Sequence, residues 1–520
     1  MISAEATYLF RHALLRDAAY QLQLPGDRAR LHGLAFAVIE GLCGGRPPKP
    51  ANVDAGESAR FETHGSDSVA LELAEHARLT LFEAGADDSG GRVEELLAAR
   101  KLYLRRGAEH SSRQFRFDLS SSAWQLYSEL VAGAEKAESL GKAAFAAWSG
   151  GHADLAAPLI MQMLEIHRSL GNLRLQGAAL GNLAALYGET GDIARAGSLF
   201  DQALAILHEV GDRVSESGCL TNFASLYRKT GRMHLALRAY EDAIAIYREL
   251  RDRPGEGFTL GNLALLLRDT GRFPEAEQAC NEALAIHRTA GNRRSEGIVL
   301  GSLASILRDS GRGKDSERAY DESIATAREI GDRRSEGATL GSLAVLYHDT
   351  GRFPLAEKTF ELAISINREV GNRRSEGVAL AGLAGLHGDT GRPTPALQTC
   401  ERALALLREV GDRRSEGIAL RCLARLHGKC DRLEQARNIC EQALSLTRDV
   451  GHLRFEGILC CDLATLKIRL GRLQEARQDW HQGTAILRRL GDLPEIERQY
   501  AAAREACDRA GVPVLDESPA

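Results

Sequence analysis

The residues best able to bind a metal are ten cysteines and fifteen histidines, and their spacing argues against a metal site. Cys280, Cys400 and Cys440 fall at one position of an internal repeat that large apolar residues occupy elsewhere. Those apolar residues are Phe200, Tyr240, Tyr320, Phe360 and Trp480. His387 and His427 likewise share a register position with tyrosines. Since the cysteines also lack the paired spacing of zinc ligands, we predict that these side chains pack in a core and bind no metal.

Motifs that would position a nucleophile or a phosphate are missing from the sequence. It contains no HExxH, no GxSxG and no GxxxxGK[ST]. The nearest string to a phosphate-binding loop, at residues 141–143, lacks the upstream glycine and the hydroxyl residue that this loop needs. We therefore predict a protein that is not an enzyme and that binds no cofactor.

Composition excludes further classes of function. The 520 residues carry 66 basic and 71 acidic side chains, a net charge of −5, whereas nucleic-acid-binding domains are usually basic. No run of 18 apolar residues is present, which predicts no membrane span. The N-terminus lacks the pattern of a secretory signal, and unpaired cysteines are typical of a reducing compartment. We expect a cytoplasmic protein that contacts neither nucleic acid nor membrane.

An internal repeat with a period of roughly 40 residues organises most of the chain. The string GDRRSEG begins at Gly331 and at Gly411, and GNRRSEG begins at Gly291 and at Gly371. Each unit has two stretches with apolar residues at three- and four-residue spacing, separated by a short break, which predicts two helices. We expect Gly331 to end one helix in a left-handed conformation and Asp332 to cap the next. Nine such units are predicted over 131–490, followed by a capping helix at 491–510 and a flexible tail at 511–520.

The large and small positions of these units resemble the tetratricopeptide repeat family. In 171–210 the matching residues are Leu180, Leu183, Ala184, Tyr187, Ala196, Phe200 and Ala203. The unit is longer than the roughly 34 residues usual for this family, as in its kinesin-light-chain-like branch. The resemblance implies an all-α fold, a right-handed superhelical solenoid of antiparallel helix pairs.

The N-terminal region is different in character. Residues 1–43 resemble the end of the winged-helix region that follows the ATPase module in signal-transduction ATPases with numerous domains. The matching residues are Tyr8, Phe10, His12, Leu15, Ala19, Tyr20, Arg28, Leu31 and His32. We predict a remnant of that region at 1–43, a Gly- and Pro-rich linker at 44–70, and degenerate helical hairpins at 71–130.

Arginine pairs recur at the start of four units, at 293–294, 333–334, 373–374 and 413–414. Cations at a helix N-terminus oppose the helix dipole, so a compensating charge is expected. Glu296, Glu336, Glu376 and Glu416 follow three residues after the first arginine of each pair and are close enough to pair with it. An ion-pair ladder is one interpretation, and a rim that binds anions is the other.

A second polar series falls on the first helix of each hairpin, which lines the concave side in the tetratricopeptide fold. Asn182, Asn222 and Asn262 share one register position, and Arg228, Arg268 and Arg308 share another. Small residues precede the asparagines, and an amide can both donate to and accept from a peptide backbone. The pattern predicts a groove that binds a peptide of acidic character; the alternative is that these residues only solvate the groove.

These patterns predict a protein–protein interaction scaffold. The N-terminal resemblance implies the sensor or partner-docking arm of a bacterial signalling regulator. The alternative is that the chain is the regulatory C-terminal fragment of a larger protein, either as a natural split product or as a truncated gene model. That larger protein would be an enzyme, a serine/threonine kinase or nucleotide cyclase with an ATPase module, or a transcription regulator. An in-frame phosphate-binding loop upstream of Met1 would favour that alternative. The partner, the output domain and the oligomeric state stay open.

Overall fold

The computed structural model describes residues 23–50, 62–83 and 90–514, and its regular structure within these ranges is entirely helical. The all-α prediction is confirmed. The chain divides into two compact units, Met1–Leu170 and Gly171–Ala520. Four predicted segments lie partly outside the described residues: the winged-helix remnant, the linker, the degenerate hairpins and the tail.

The described part of unit 1 contains six α-helices and one short 3-10 turn. The helices are α1 (Pro25–Leu42), α2 (Ala70–Glu83), α3 (Gly90–Arg113), α4 (Phe117–Ser128), α5 (Gly133–Gly150) and α6 (Ala153–Ser169), with the turn at Asp67–Val69. Arg106 of α3 donates from Nε to Asp67 Oδ1 at 2.7 Å, and both side chains are buried. This ion pair fixes the last residues of the segment predicted as a linker. The first predicted repeat, 131–170, is the hairpin of α5 and α6.

Unit 2 is a series of helical hairpins. Its first helices are α7 (Leu173–Thr190), α9 (Arg213–Lys229), α11 (Arg253–Asp269), α13 (Arg293–Asp309), α15 (Arg333–Asp349), α17 (Arg373–Asp389), α19 (Arg413–Lys429) and α21 (Leu453–Arg469). Its second helices are α8 (Ile193–Glu209), α10 (Met233–Leu250), α12 (Phe273–Thr289), α14 (Gly313–Ile330), α16 (Phe353–Glu369), α18 (Pro393–Glu409), α20 (Leu433–Asp449) and α22 (Leu473–Arg489). The last helix, α23 (Leu493–Ala510), packs against α21 and α22 and occupies the segment predicted to cap the array.

Turns between the helices of unit 2 recur at regular intervals along the chain. From Gly171 to Gly511 each turn contains a residue with positive φ, and glycine, which lacks the Cβ that disfavours this conformation, supplies all but two of them. Arg251 and Asp431 adopt it in glycine's place. As predicted, the side chain of Asp332 caps α15, accepting a hydrogen bond from the Ser335 backbone at 2.9 Å.

Recurring apolar positions build the core of unit 2. Small alanines such as Ala344 and Ala356 are completely buried where helices cross closely. The large position of the second helix is also buried throughout, and it contains Cys280, Cys400 and Cys440, at most 1% exposed. The predicted packing role of these three cysteines is confirmed.

The first helices form the inner side of unit 2. From α7 to α17 each contacts the next first helix along the chain, for example α9 with α11 and α17 with α19. Second helices make no comparable contacts with one another among the described residues. An array of hairpins whose helices approach one another on one side only must curve towards that side. Side chains on the exposed face of the first helices therefore line a concave groove.

Candidate peptide-binding groove

The three asparagines predicted to bind a peptide lie on the inner helices α7, α9 and α11. Asn182 is exposed, and Asn222 and Asn262 are partly exposed. None of the three side chains makes a hydrogen bond in the described part of the chain. Their neighbours are small: Gly181 is buried, and the Thr221 hydroxyl is bonded to Thr259 at 3.0 Å. The amides are therefore available to an incoming ligand.

The three predicted arginines also lie along this groove, but each faces a carboxylate of the next repeat. Arg228 is paired with Asp269, and their side chains are only 14% and 15% exposed. For the other two arginines the contact with the next repeat is longer, from Arg268 Nε to Asp309 Oδ2 at 3.8 Å and from Arg308 Nε to Asp349 Oδ2 at 3.9 Å. Each of these two also pairs with the aspartate that follows it, Arg268 with Asp269 and Arg308 with Asp309, both at 3.0 Å. These acids were not predicted, although aspartate recurs in the sequence at 269, 309, 349 and 389. The arginines form an ion-paired wall of the groove.

Burial makes the first of these pairs the strongest. Burial alone would raise the pKa of Asp269, but the guanidiniums of Arg228 and Arg268 together lower it to about 2. Asp349 behaves differently, because burial of its carboxyl group raises its pKa despite the nearby Arg308. The wall is therefore tightly paired at Arg228 and Asp269 and looser at Arg308 and Asp349.

An apolar stripe, which sequence reasoning did not identify, runs beside the asparagines. Phe258 and Ile298 are 56% and 54% exposed, and Val378 and Ile418 share their register position and are also exposed. Phe258 lies four residues before Asn262, and thus on the same face of α11. The stripe could have been found in the sequence, because an apolar residue recurs in several repeats two positions before a core leucine. The groove can therefore contact apolar side chains as well as a peptide backbone.

The arginine pairs form a ladder of ion pairs along one edge of the array. Arg293 and Arg333 donate to the glutamates three residues later, Nη1 to Oε2, at 2.5 and 2.6 Å, as predicted. Glu376 and Glu416 instead accept from arginines at the end of the preceding second helix, Arg368 Nε at 2.9 Å and Arg408 Nε at 2.6 Å. The second arginine of a pair reaches the next repeat, as in the contact from Arg374 Nε to Asp412 Oδ2 at 2.7 Å.

The histidines proposed as packing residues differ in environment. His387 is 9% exposed, and its Nε2 lies 3.4 Å from Glu357 Oε1. His427 is partly exposed, and burial lowers its pKa. Within the part of the chain that the structure describes, no three His, Cys, Asp or Glu side chains are grouped so that they could hold a metal ion. No described helix combines the length and apolarity of a membrane span.

Unit 2 winds far enough for repeats distant in sequence to touch. An added Cβ at Gly191 would lie 3.2 Å from Val450 Cγ1, and one at Gly231 would lie 2.9 Å from Leu453 Cβ. An added Cβ at Gly451 would lie 3.4 Å from Thr230 Cγ2. We call this contact the seam; it joins the ends of α7 and α9 to the turn between α20 and α21. Later repeats therefore cover the ends of α7 and α9.

Similar solved structures have low sequence identity to this chain. A Rap protein complexed with competence and sporulation factor is 15% identical, with 69% of this chain and 99% of that chain covered and a TM-score of 0.49. BtubC (BKLC) from P. vanneervenii is 17% identical, with 42% and 89% covered and a TM-score of 0.34. A putative kinesin light chain of Podosopora anserina, described as nearly identical TPR-like repeats, is 18% identical, with 37% and 95% covered and a TM-score of 0.31.

Comparison with known families agrees with the repeat pattern. A search of curated proteins gives no match. A family model described as tetratricopeptide repeat matches residues 216–289, 295–369 and 335–409, which lie within the hairpins of unit 2. This match identifies those hairpins as tetratricopeptide repeats.

Proposed function

We propose that the inner groove of unit 2 binds an extended segment of a partner protein. The observation that carries this proposal is the asparagine ladder, three amides in one register position that make no hydrogen bond within the described chain. An amide that is exposed to water and makes no hydrogen bond within the chain is free to bind a ligand backbone, which supplies both a donor and an acceptor. The binding site comprises Asn182, Asn222 and Asn262.

The apolar stripe and the arginine wall define the ligand further. Phe258 and Ile298 provide exposed apolar area next to the amides, so the ligand carries apolar side chains at alternate positions. Arg228, Arg268 and Arg308 favour acidic side chains, as proposed from the sequence. Because all three guanidiniums are already paired with aspartates, that preference is weak, and it is weakest at Arg228, the most buried of the three.

The wider role that we propose is that of a cytoplasmic, non-catalytic scaffold, the partner-docking arm of a bacterial signalling regulator. What supports it is the resemblance of residues 1–43 to the region that follows the ATPase module in such regulators. Arg28, Leu31 and His32 of that match lie on α1, and the residues up to Tyr20 lie outside the described part. Sequencing upstream of Met1 tests this role, since an in-frame ATPase module would instead make this chain the regulatory fragment of a larger enzyme.

The groove is tested by replacing all three asparagines with alanine. A partner is first identified by affinity capture on unit 2, and its dissociation constant is then measured with purified components. Each lost hydrogen bond costs about 1 kcal/mol, so the triple variant should bind roughly a hundredfold more weakly or worse. Alanine favours helix, so thermal stability should not fall.

A control substitution separates the groove from the outer surface. Asn281→Ala changes an exposed asparagine on the second helix α12 and should leave the affinity unchanged. If the triple variant binds the partner as tightly as the parent protein, the partner does not dock on the asparagine ladder, and the outer surface becomes the place to search.

A further inference from the structure

The seam brings together two places where the repeat lacks its usual carboxylate. The last residue of the first helix is acidic at Asp269, Asp309, Asp349 and Asp389, but the same position in α9 is Lys229. The exchange leaves a cation at the end of α9, where most neighbouring repeats place an anion.

The second exchange lies on the other side of the seam. In two of the four arginine pairs the second arginine contacts the N-cap aspartate of the next repeat's first helix: Arg294 with Asp332, and Arg374 with Asp412. The equivalent partner of Arg414 is His452, whose Nε2 lies 3.3 Å from Arg414 Nη2. Burial and the neighbouring Arg414 lower the pKa of His452 to about 3, so the imidazole is neutral at pH 7. Arg414 therefore has a hydrogen-bond acceptor but no counter-charge at this position.

Contacts across the seam place these two cations near each other. Thr230, which follows Lys229, touches Gly451, which precedes His452. Lys229 makes no hydrogen bond or ion pair in the described chain, and its nearby charges are those of Glu189, Arg228, Arg374 and Arg414. Of these neighbours, only Glu189 is acidic. Burial and the surrounding arginines lower the pKa of Lys229 to about 8.

The same excess of positive charge surrounds Arg414. Burial and the nearby guanidiniums of Arg228 and Arg374 lower the pKa of Arg414 to about 10, although the carboxylates of Asp269 and Asp412 act to raise it. Those two carboxylates are already bonded, Asp269 to Arg228 and Asp412 to Arg374. Among the described residues of the seam, Lys229 and Arg414 are therefore cations that form no ion pair with a carboxylate, although Glu189 attracts Lys229.

We propose that a compact divalent oxyanion of the phosphate class binds at the seam between Lys229 and Arg414. A guanidinium presents a planar fork of donors that matches two oxygens of such an anion, and an ammonium adds a point charge. One divalent anion supplies the two negative charges that the repeat register omits here. Because the two cations belong to different turns of the array, the bound anion also holds the seam closed. The site does not depend on the asparagine ladder.

Inorganic phosphate is the probe that tests this site, with sodium phosphate replacing sodium chloride at constant ionic strength. Thermal unfolding of the whole chain is followed by circular dichroism, and binding is measured by titration calorimetry. Phosphate should raise the melting temperature of the parent protein. Lys229→Gln and Arg414→Gln should each weaken phosphate binding about tenfold or more, since each removes a charge-assisted contact.

Matched control substitutions are made at the same register positions in other repeats, where the cation is paired with a carboxylate. Lys429, equivalent to Lys229, is paired with Asp389, and Arg294, equivalent to Arg414, lies 3.5 Å from Asp332. Lys429→Gln and Arg294→Gln should therefore respond to phosphate as the parent does. A response of equal size in all five proteins would be general salt stabilisation and would overturn the proposal, as would no response in the parent.

A third variant keeps the test valid if Lys229→Gln or Arg414→Gln fails to fold. His452→Asp supplies the carboxylate that the register places opposite the other arginines. It should raise the melting temperature in chloride and abolish the response to phosphate. A His452→Asp protein that still binds phosphate as tightly as the parent would show that the anion binds elsewhere.

Discussion

Asp269→Asn should destabilise unit 2 more than any equivalent change along the groove wall. The Asp269 carboxylate pairs with Arg228 of the preceding repeat, and its side chain is 15% exposed. Asparagine keeps the shape but removes the charge, leaving the Arg228 guanidinium buried without a counter-ion. Breaking a buried ion pair by removing one partner is strongly unfavourable, because the desolvation of the remaining charge is no longer offset.

The size of the effect follows from the pKa of Asp269. Its folded value of about 2 lies below the ordinary value of 3.8. The ionised carboxylate therefore stabilises the fold above pH 3.8, and this contribution is lost as the pH falls through about 2. At about 1.4 kcal/mol per pH unit, the difference amounts to roughly 2 kcal/mol at pH 7 and about half of that at pH 3.

Urea denaturation followed by circular dichroism measures this difference between parent and variant at both pH values. Other carboxylates titrate in both proteins, so their effects cancel in the comparison. Asp309→Asn is the matched control, since Asp309 occupies the same position one repeat later, in a longer contact with Arg268 and a 3.0 Å pair with Arg308 that is more exposed to water. The control should cost less than about 1 kcal/mol. Equal losses in the two variants, or a difference independent of pH, would refute the argument from burial.

Three further expectations concern packing, metal content and the division of the chain. Gly377→Ala should lower the free energy of unfolding by about 1–2 kcal/mol in urea denaturation, since an added Cβ would lie 2.8 Å from Leu407 Cγ. Gly197→Ala, where an added Cβ would have nothing within 4 Å, should raise it by about 0.5–1 kcal/mol. Destabilisation by both substitutions would contradict this expectation. Purified protein should contain no stoichiometric zinc by elemental analysis, and one zinc per chain would overturn the packing assignment of the buried cysteines. A fragment of residues 171–520 should remain helical and unfold cooperatively by circular dichroism; aggregation or loss of helicity would show that unit 2 needs the preceding residues.

Features local to one repeat could be predicted from the sequence. The repeat period and the spacing of apolar residues placed the helices, and the register identified Cys280, Cys400 and Cys440 as core residues. Asp332 could be assigned as an N-cap because capping depends on residues only three positions apart. Each of these properties is set by neighbours along one hairpin.

Features between repeats were harder to predict. The ion pair of Arg228 with Asp269 joins one repeat to the next, and it becomes visible only when the arginine series and the aspartate series are compared with each other. The asparagine assignment stays a prediction that binding data must test. The seam could not be predicted, because it depends on the sum of small rotations at successive repeat interfaces, none of which is encoded by a motif.

Contact across the seam also changes how the array resists unfolding. In an open solenoid each repeat contacts only its neighbours, so the end repeats fray independently. Here Gly231 and Leu453 join repeats that are far apart in sequence, which couples the opening of an early hairpin to that of a late one. The coupling is limited, since the touching residues are glycines and single small or aliphatic side chains, and positive charge at Lys229 and Arg414 opposes it. An anion that neutralises those charges would therefore act on the stability of both ends of the array, and not only on the two residues that bind it.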